Sequence, residues 1–250
     1  MKLALLSDLH ANLPAFEACL AHAQAHGATD IAILGDLVGY GPHPGELVDR
    51  CIDLQSRGAI VLRGNHDMPP DANAPADGSW QALTARWTHD RLERSQQRWL
   101  ATLDLTRVVG NVFLVHASAD DPTRWRYVTD ARIASLSLQA ACRDPAVRYV
   151  VGGHVHQQQL FFEGARHQLM PFEPRAGSAI PVGAHRRWLA TVGSVGQPRD
   201  GDPRAAYAVL DIDRRTLQFH RVDYDIDLTC AELRINGLPE ALASRLEEGR

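Results

Sequence analysis

Histidine, aspartate and asparagine residues stand just after short apolar runs at five places in this 250-residue chain. In order they are Asp8 and His10, Asp36, Asn65 with His66 and Asp67, His116, and His154 with His156. Asp8, Asp36 and Asn65 recur at intervals of 28 and 29 residues, and each ends a strand-like run: Leu3–Leu6, Ile31–Leu34 and Ile60–Leu62. Imidazole and oxygen donors gathered at the carboxyl ends of neighbouring strands are what a two-metal hydrolytic site requires. Singly, each motif is ordinary: Gly35-Asp36 suits a turn, and a lone His116 suits a structural histidine. Jointly they are not, because ligands that all follow strands meet at one sheet edge.

The elements that must position them alternate in type. Lys2–Ser7, Asp30–Leu34 and Ala59–Arg63 read as strands. A helix begins near Pro14, carries Phe16, Cys19, Leu20 and Ala23 as an apolar stripe, and stops at Gly27. A second spans Glu46–Arg57, with Leu47, Cys51 and Leu54 on one face and Gly58 as its stop. Such alternation implies parallel strands joined by right-handed crossovers. Met68–Ser79, rich in Pro, Ala, Asp and Gly, reads as a surface loop, and Trp80–Leu103 as helical with an aromatic packing face.

Past Thr106 the chain turns strand-rich. Arg107–Val109 and Val112–Val115 flank Gly110-Asn111, a hairpin signal. A helix from about Asp130 to Cys142 leads into the strand Val147–Val151. Gln159–Phe162, Leu189–Val192, Ala205–Ile212 and Thr216–Val222 are further strands, and Leu228–Leu246 reads as a helical tail. The economical organisation is one domain over 1–250, with 68–105 as a helical insertion and 174–187 as an exposed loop.

Composition narrows the class. At 45% hydrophobic and 22% charged the chain is ordinary for a globular protein. With 26 basic and 30 acidic residues it lacks the concentrated positive charge that a nucleic-acid polymer or an anionic membrane calls for. Cys19, Cys51, Cys142 and Cys230 are scattered, so buried thiols in a reducing, cytoplasmic setting are expected. The apolar start Leu3–Leu6 is too short for a signal-peptide core.

The ordered set Asp8-x-His10, Gly35-Asp36, Gly64-Asn65-His66-Asp67, His116 and Gly153-His154-Val155-His156 resembles the calcineurin-like metallophosphoesterases over nearly the whole chain. Gly35–Pro42 and Gly193–Arg199 look like the compact, single-domain bacterial phosphodiesterase branch. The resemblance implies an α/β fold, a four-layer αββα sandwich of two mixed β-sheets flanked by helices. It implies that Asp8, His10 and His156 hold one metal, that Asn65, His116 and His154 hold another, and that Asp36 bridges them. A water shared between the ions would then attack phosphorus, with His66 at the leaving-group or a phosphoryl oxygen. Two divalent transition-metal ions are implied, manganese first, with iron, zinc, cobalt or nickel compatible with the donor set.

Some readings are local. Asp67 suits either a partner that orients a histidine or a carboxylate that stabilises a turn. Val155, Ala117 and Thr191-Val192 depart from the family pattern without touching a proposed ligand. Arg63, Arg124, Arg126, His185, Arg186, Arg187 and Arg199 are candidates for a second phosphate contact, and Tyr40 could stack on a base or serve packing. The expected substrate is a small phosphodiester, phosphoester or nucleotide. A phosphomonoesterase or phosphoprotein phosphatase is the nearest alternative, and a non-catalytic binding scaffold of the same fold stands further off, because every ligand and His66 are intact.

Overall fold

A computed structural model describes residues 1–69, 79–165 and 168–250. The loop read at Met68–Ser79 therefore lies, for residues 70–78, outside the described residues.

The strand–helix alternation of the first third is realised as β1 (Lys2–Leu6), α1 (Leu13–Ala25), β2 (Asp30–Ile33), α2 (Pro44–Ser56) and β3 (Ile60–Val61). The stretch read as helical over Trp80–Leu103 forms two helices, α3 (Trp80–Arg91) and α4 (Arg94–Thr102). The break is capped from its far side, where Gln96 Oε1 accepts from the Glu93 amide that opens α4. Then come β4 (Thr106–Val109), β5 (Val112–Val115), α5 (Ala131–Ala141), β6 (Tyr149–Gly152) and β7 (Gln158–Glu163). They are followed by β8 (Leu169–Phe172), β9 (Ala179–Pro181), β10 (Trp188–Val192), β11 (Ala205–Asp211) and β12 (Thr216–Val222). The tail is likewise two helices, α6 (Ile226–Ile235) and α7 (Glu240–Glu248), parted by Gly237 in the left-handed region at φ 69°. Sequence patterning missed β8 and β9. The stretch 174–187, expected as loop, contains β9, which pairs with β12 through Leu217 and Ile180.

Two mixed six-stranded sheets result, ordered β3-β2-β1-β11-β12-β9 and β4-β5-β6-β10-β7-β8. β1, β2 and β3 are mutually parallel, as are β5, β6 and β10. Period-two alternation sorts their residues between layers. Leu3 and Leu5 of β1 face the second sheet, meeting a cluster that holds Leu114, Val151 and Ala190. Ala4 and Leu6 turn the other way, onto Phe16, Cys19 and Leu20 of α1. On the far side Val115, Val150 and Leu189 pack on Ile133, Ala134 and Leu138 of α5. Strands covered on both faces read as unbroken apolar runs. The architecture is the αββα sandwich.

Trp80 and Trp87 pack against Leu233 and Leu242 of the tail helices, as a packing face should. All four cysteines are buried and free. Among the described residues no helix is long and apolar enough to cross a membrane.

Leu5 is fully buried between the sheets. Leu5→Ala is expected to lower stability by about 2–5 kcal/mol, read from the shift in urea midpoint at unchanged slope.

Candidate metal centre

Parallel strands bring their carboxyl ends to one edge. There β1 delivers Asp8 and His10, β2 delivers Asp36, β3 delivers Asn65 and His66, β5 delivers His116, and β6 delivers His154 and His156. Five of these leave their strands in the left-handed region: Asp8 (φ 55°), His10 (45°), Asp36 (51°), His154 (67°) and His156 (57°). Non-glycine residues hold that conformation at a cost of order 1 kcal/mol each, and only where surroundings over-determine it.

Close backbone approach supplies part of that constraint. A Cβ on Gly64 would lie 2.2 Å from Asp36 Oδ1, and one on Gly153 would lie 2.4 Å from Asp8 Oδ2. The His154 amide reaches Asp8 Oδ2 at 2.9 Å, and the His66 amide reaches Asp36 Oδ1 at 2.8 Å.

The imidazoles are oriented by carbonyls. Nδ1–H of His10, His116 and His156 donates to Val38 O (3.2 Å), Leu34 O (2.9 Å) and Gln197 O (2.6 Å). His154 is turned over, with Nε2–H donating to Trp125 O at 2.8 Å. A carbonyl can only accept, so on the rings that burial keeps neutral, His10, His154 and His156, the other nitrogen presents its lone pair. His10 Nε2 and His156 Nε2 face each other at 3.2 Å, with Asp8 Oδ1 3.3 Å from the latter. Burial holds both rings well below the usual imidazole range, so neither supplies a proton to the gap. Opposing acceptors at that separation fit a cation between them.

The second cluster is similar. His116 Nε2 stands 3.3 Å from Asn65 Oδ1 and 3.3 Å from Asp36 Oδ2, and that same Asp36 oxygen is 3.9 Å from His10 Nε2. Burial opposes charge on His116, yet Asp36 and then Asp8 raise its pKa to about 9. Burial pushes His154 down to about 4 and Asp8 up to about 6. Asp8, His10 and His156 converge as one group able to hold a metal, and Asp36, His116 and His154 as another.

His66 lies beside both, its ring edge-on to His10 at 5.2 Å. Its Nε2 is 2.9 Å from the Tyr40 hydroxyl. Tyr40 is thus a partner of His66 rather than a free stacking ring, and it also packs against Trp80. Among the described residues Asp67 bonds amides and no histidine. Its carboxylate accepts from the Gly64, Leu37 and Val38 amides at 2.7, 2.7 and 3.2 Å, tying the Asp36 loop to the Asn65 turn.

Of the proposed phosphate contacts, Arg199 comes to the site, its amide on His156 O and its guanidinium 5.9 Å over the Tyr40 ring. Arg124 and Arg126 flank Trp125 but pair with Asp121 and Asp120, and Arg63 donates to Ala101 O. His185, Arg186 and Arg187 precede β10, whose carboxyl end faces the site, so they lie at the opposite end of that strand; Arg186 sits over Phe162 instead.

Sequence reading missed Trp125 and Tyr127. Trp125, left-handed at φ 49°, offers its carbonyl to His154, and Tyr127 stacks on the His154 ring at 3.9 Å. A carbonyl contact leaves no trace in residue type, whereas the exposed Tyr127 so near Trp125 was a readable aromatic signal. Among the family departures, the Thr191 hydroxyl donates to Gln157 O at 2.8 Å, and Val155 is buried.

Residues 1–215 match the model of the calcineurin-like phosphoesterase superfamily domain. The chain belongs to that superfamily. The family is one of metal-dependent phosphoester hydrolases, and the two His/Asp groups are of the kind that hold such metals. The chain is 30% identical over 257 residues to the uncharacterized protein MJ0912 of Methanocaldococcus jannaschii, covering 99% of this chain and 98% of that one. It superimposes on a metallophosphoesterase from Sphaerobacter thermophilus with a TM-score of 0.86 at 36% identity, covering all of both chains. A shorter match, 33% identical over 94 residues, links a third of the chain to half of the phosphodiesterase YfcE of Escherichia coli.

A methyl added at Gly153 has no room, with Ser7 Oγ only 1.9 Å from the Cβ position. Gly153→Ala is expected to lower stability by about 1–3 kcal/mol or more, measured by chemical unfolding of the metal-free protein.

Proposed function

We propose that this chain is a dinuclear metal-dependent phosphodiesterase acting on small phosphodiesters or nucleotides. One observation carries the reading: buried imidazole nitrogens and carboxylates face one another in two groups, with Asp36 Oδ2 reaching toward both. Asp8, His10 and His156 would hold one ion and Asn65, His116 and His154 the other, with Asp36 shared. A shared carboxylate offsets the repulsion between two such ions. Donors without thiolate suit manganese, and also iron, zinc, cobalt or nickel. When bound, the ions supply Lewis acidity for the phosphoryl oxygens and for a nucleophilic water.

The chain's own groups supply the rest. Asn65 contributes a neutral oxygen, so the site gains no further negative charge against an anionic substrate. His66, fixed by its amide on Asp36 and its ring on Tyr40, is placed to protonate the departing alkoxide. Arg199 beside Tyr40 adds positive charge at the rim. Among the described residues a cavity of about 600 Å³ opens against Asn65 and His66, and its lining includes His89, Arg94 and Arg98. That volume suits a small ligand with a second anionic group rather than a polymer. The name of the YfcE relative favours a diester over a monoester. Four buried, unpaired thiols suit a reducing cytoplasm.

Purified protein with added Mn²⁺ is expected to cleave bis-p-nitrophenyl phosphate faster than p-nitrophenyl phosphate. His66→Ala should lose about 10²–10⁴-fold in kcat with the metals retained, and Tyr40→Phe should lose less. Chelation should abolish turnover and Mn²⁺ should restore it. Cleavage of the monoester alone would assign a phosphomonoesterase; full activity in His66→Ala would remove the acid from the account.

A further inference from the structure

A third group of imidazoles lies away from this centre. His22 and His26 are one helical turn apart at the carboxyl end of α1, and His220 lies on β12 beneath them. One ligand atom from each ring falls within 4.8 Å of the others. Twelve residues of mostly helical chain separate His22 from His10, which puts the group about 15 Å along the helix from the catalytic edge.

We propose that His22, His26 and His220 form a separate binding site for a divalent ion of the zinc, nickel, cobalt or copper class. Three imidazoles with neither thiolate nor carboxylate favour those ions over magnesium or calcium. His22 and His26, four residues apart, share a helix face.

Their second nitrogens are already engaged. His26 Nδ1–H donates to His22 O at 2.8 Å, and His22 Nδ1 is 2.6 Å from the Tyr207 hydroxyl, which leaves each Nε2 for a ligand. Tyr207 is the cross-strand neighbour of His220, and the two rings stack at 4.9 Å. A hydroxyl that fixes one histidine while its ring supports another is the kind of partner that orients metal ligands.

The decisive atom is His220 Nε2. Among the described residues it has no hydrogen-bond partner, and His220 is only 5% exposed. A buried nitrogen left without a partner is costly, so packing alone does not account for a histidine here. Burial pushes His220 down to about 4, with His22, His26 and Lys2 adding to the effect, so the ring is neutral and able to ligate. The carboxyl end of a helix favours a cation. Lys2 faces the cluster, its ammonium donating to the His26 carbonyl at the cluster's edge.

The site would clamp the end of α1 to β12. The test is metal content of the untagged full-length chain after loading with Ni²⁺ or Zn²⁺ and exhaustive dialysis. Wild type is expected to retain one ion per chain more than either His26→Gln or His220→Phe. Both variants should keep Mn²⁺-supported diester hydrolysis at the wild-type rate. Wild type should also gain more in Tm on adding Ni²⁺ than the variants do. His26 is exposed, so its replacement leaves packing intact should His220→Phe misfold. Equal retention in wild type and His26→Gln would overturn the proposal, whatever the count at the catalytic edge.

Discussion

Everything at the working edge depends on one constraint: acceptor groups are held facing acceptor groups where water is scarce. Backbone carbonyls take the Nδ1 protons of His10, His116 and His156 and the Nε2 proton of His154. On the neutral rings, His10, His154 and His156, those contacts fix the tautomer, and the remaining lone pairs then point inward at carboxylates. Such an arrangement is electrostatically unfavourable by itself and becomes favourable around cations. Asp8, Asp36 and His154 meet this arrangement in left-handed turns.

The sandwich makes the arrangement rigid by stitching its two sheets together at the site. Ser194, just past β10, donates to the Asp8 carbonyl at 2.8 Å, and the Val195 and Gly196 amides reach Ser7 O and Asp8 O. Asn12 caps α1 through the Ala15 amide and, with its other end, holds Gly196 O at 3.0 Å. The helix that follows the first ligand loop is thus fastened to the loop of the opposite sheet. Asp67 plays the matching part between the Asp36 and Asn65 loops, with both carboxylate oxygens taken by amides. A displaced ligand would have to disturb several of these bonds at once.

Much of this was legible in the sequence, because its physical basis is periodic or local. Both-face burial writes β1, β6 and β10 as unbroken apolar runs, and ligands placed directly after strands need no tertiary knowledge to be gathered at one edge. Short edge strands were not legible. β8 carries Pro171 and exposes most of its residues, and β9 has three residues whose pairing with β12 is set by tertiary context. The breaks at Leu92 and Gly237 were missed because apolar spacing continues across them on a common packing face. Asp67 was ambiguous since a carboxylate serves a histidine or an amide equally well. His185, Arg186 and Arg187 misled because charge pattern does not say which end of a strand a loop occupies. Trp125 acts through its carbonyl, which any residue possesses.

The central claim, two ions sharing Asp36, is tested most directly by anomalous diffraction from crystals of the Mn²⁺-loaded protein at the manganese edge. The account predicts two peaks about 3.5–4 Å apart, one among Asp8, His10 and His156 and one among Asn65, His116 and His154, with Asp36 touching both. A single peak, or two peaks that Asp36 does not join, would contradict it.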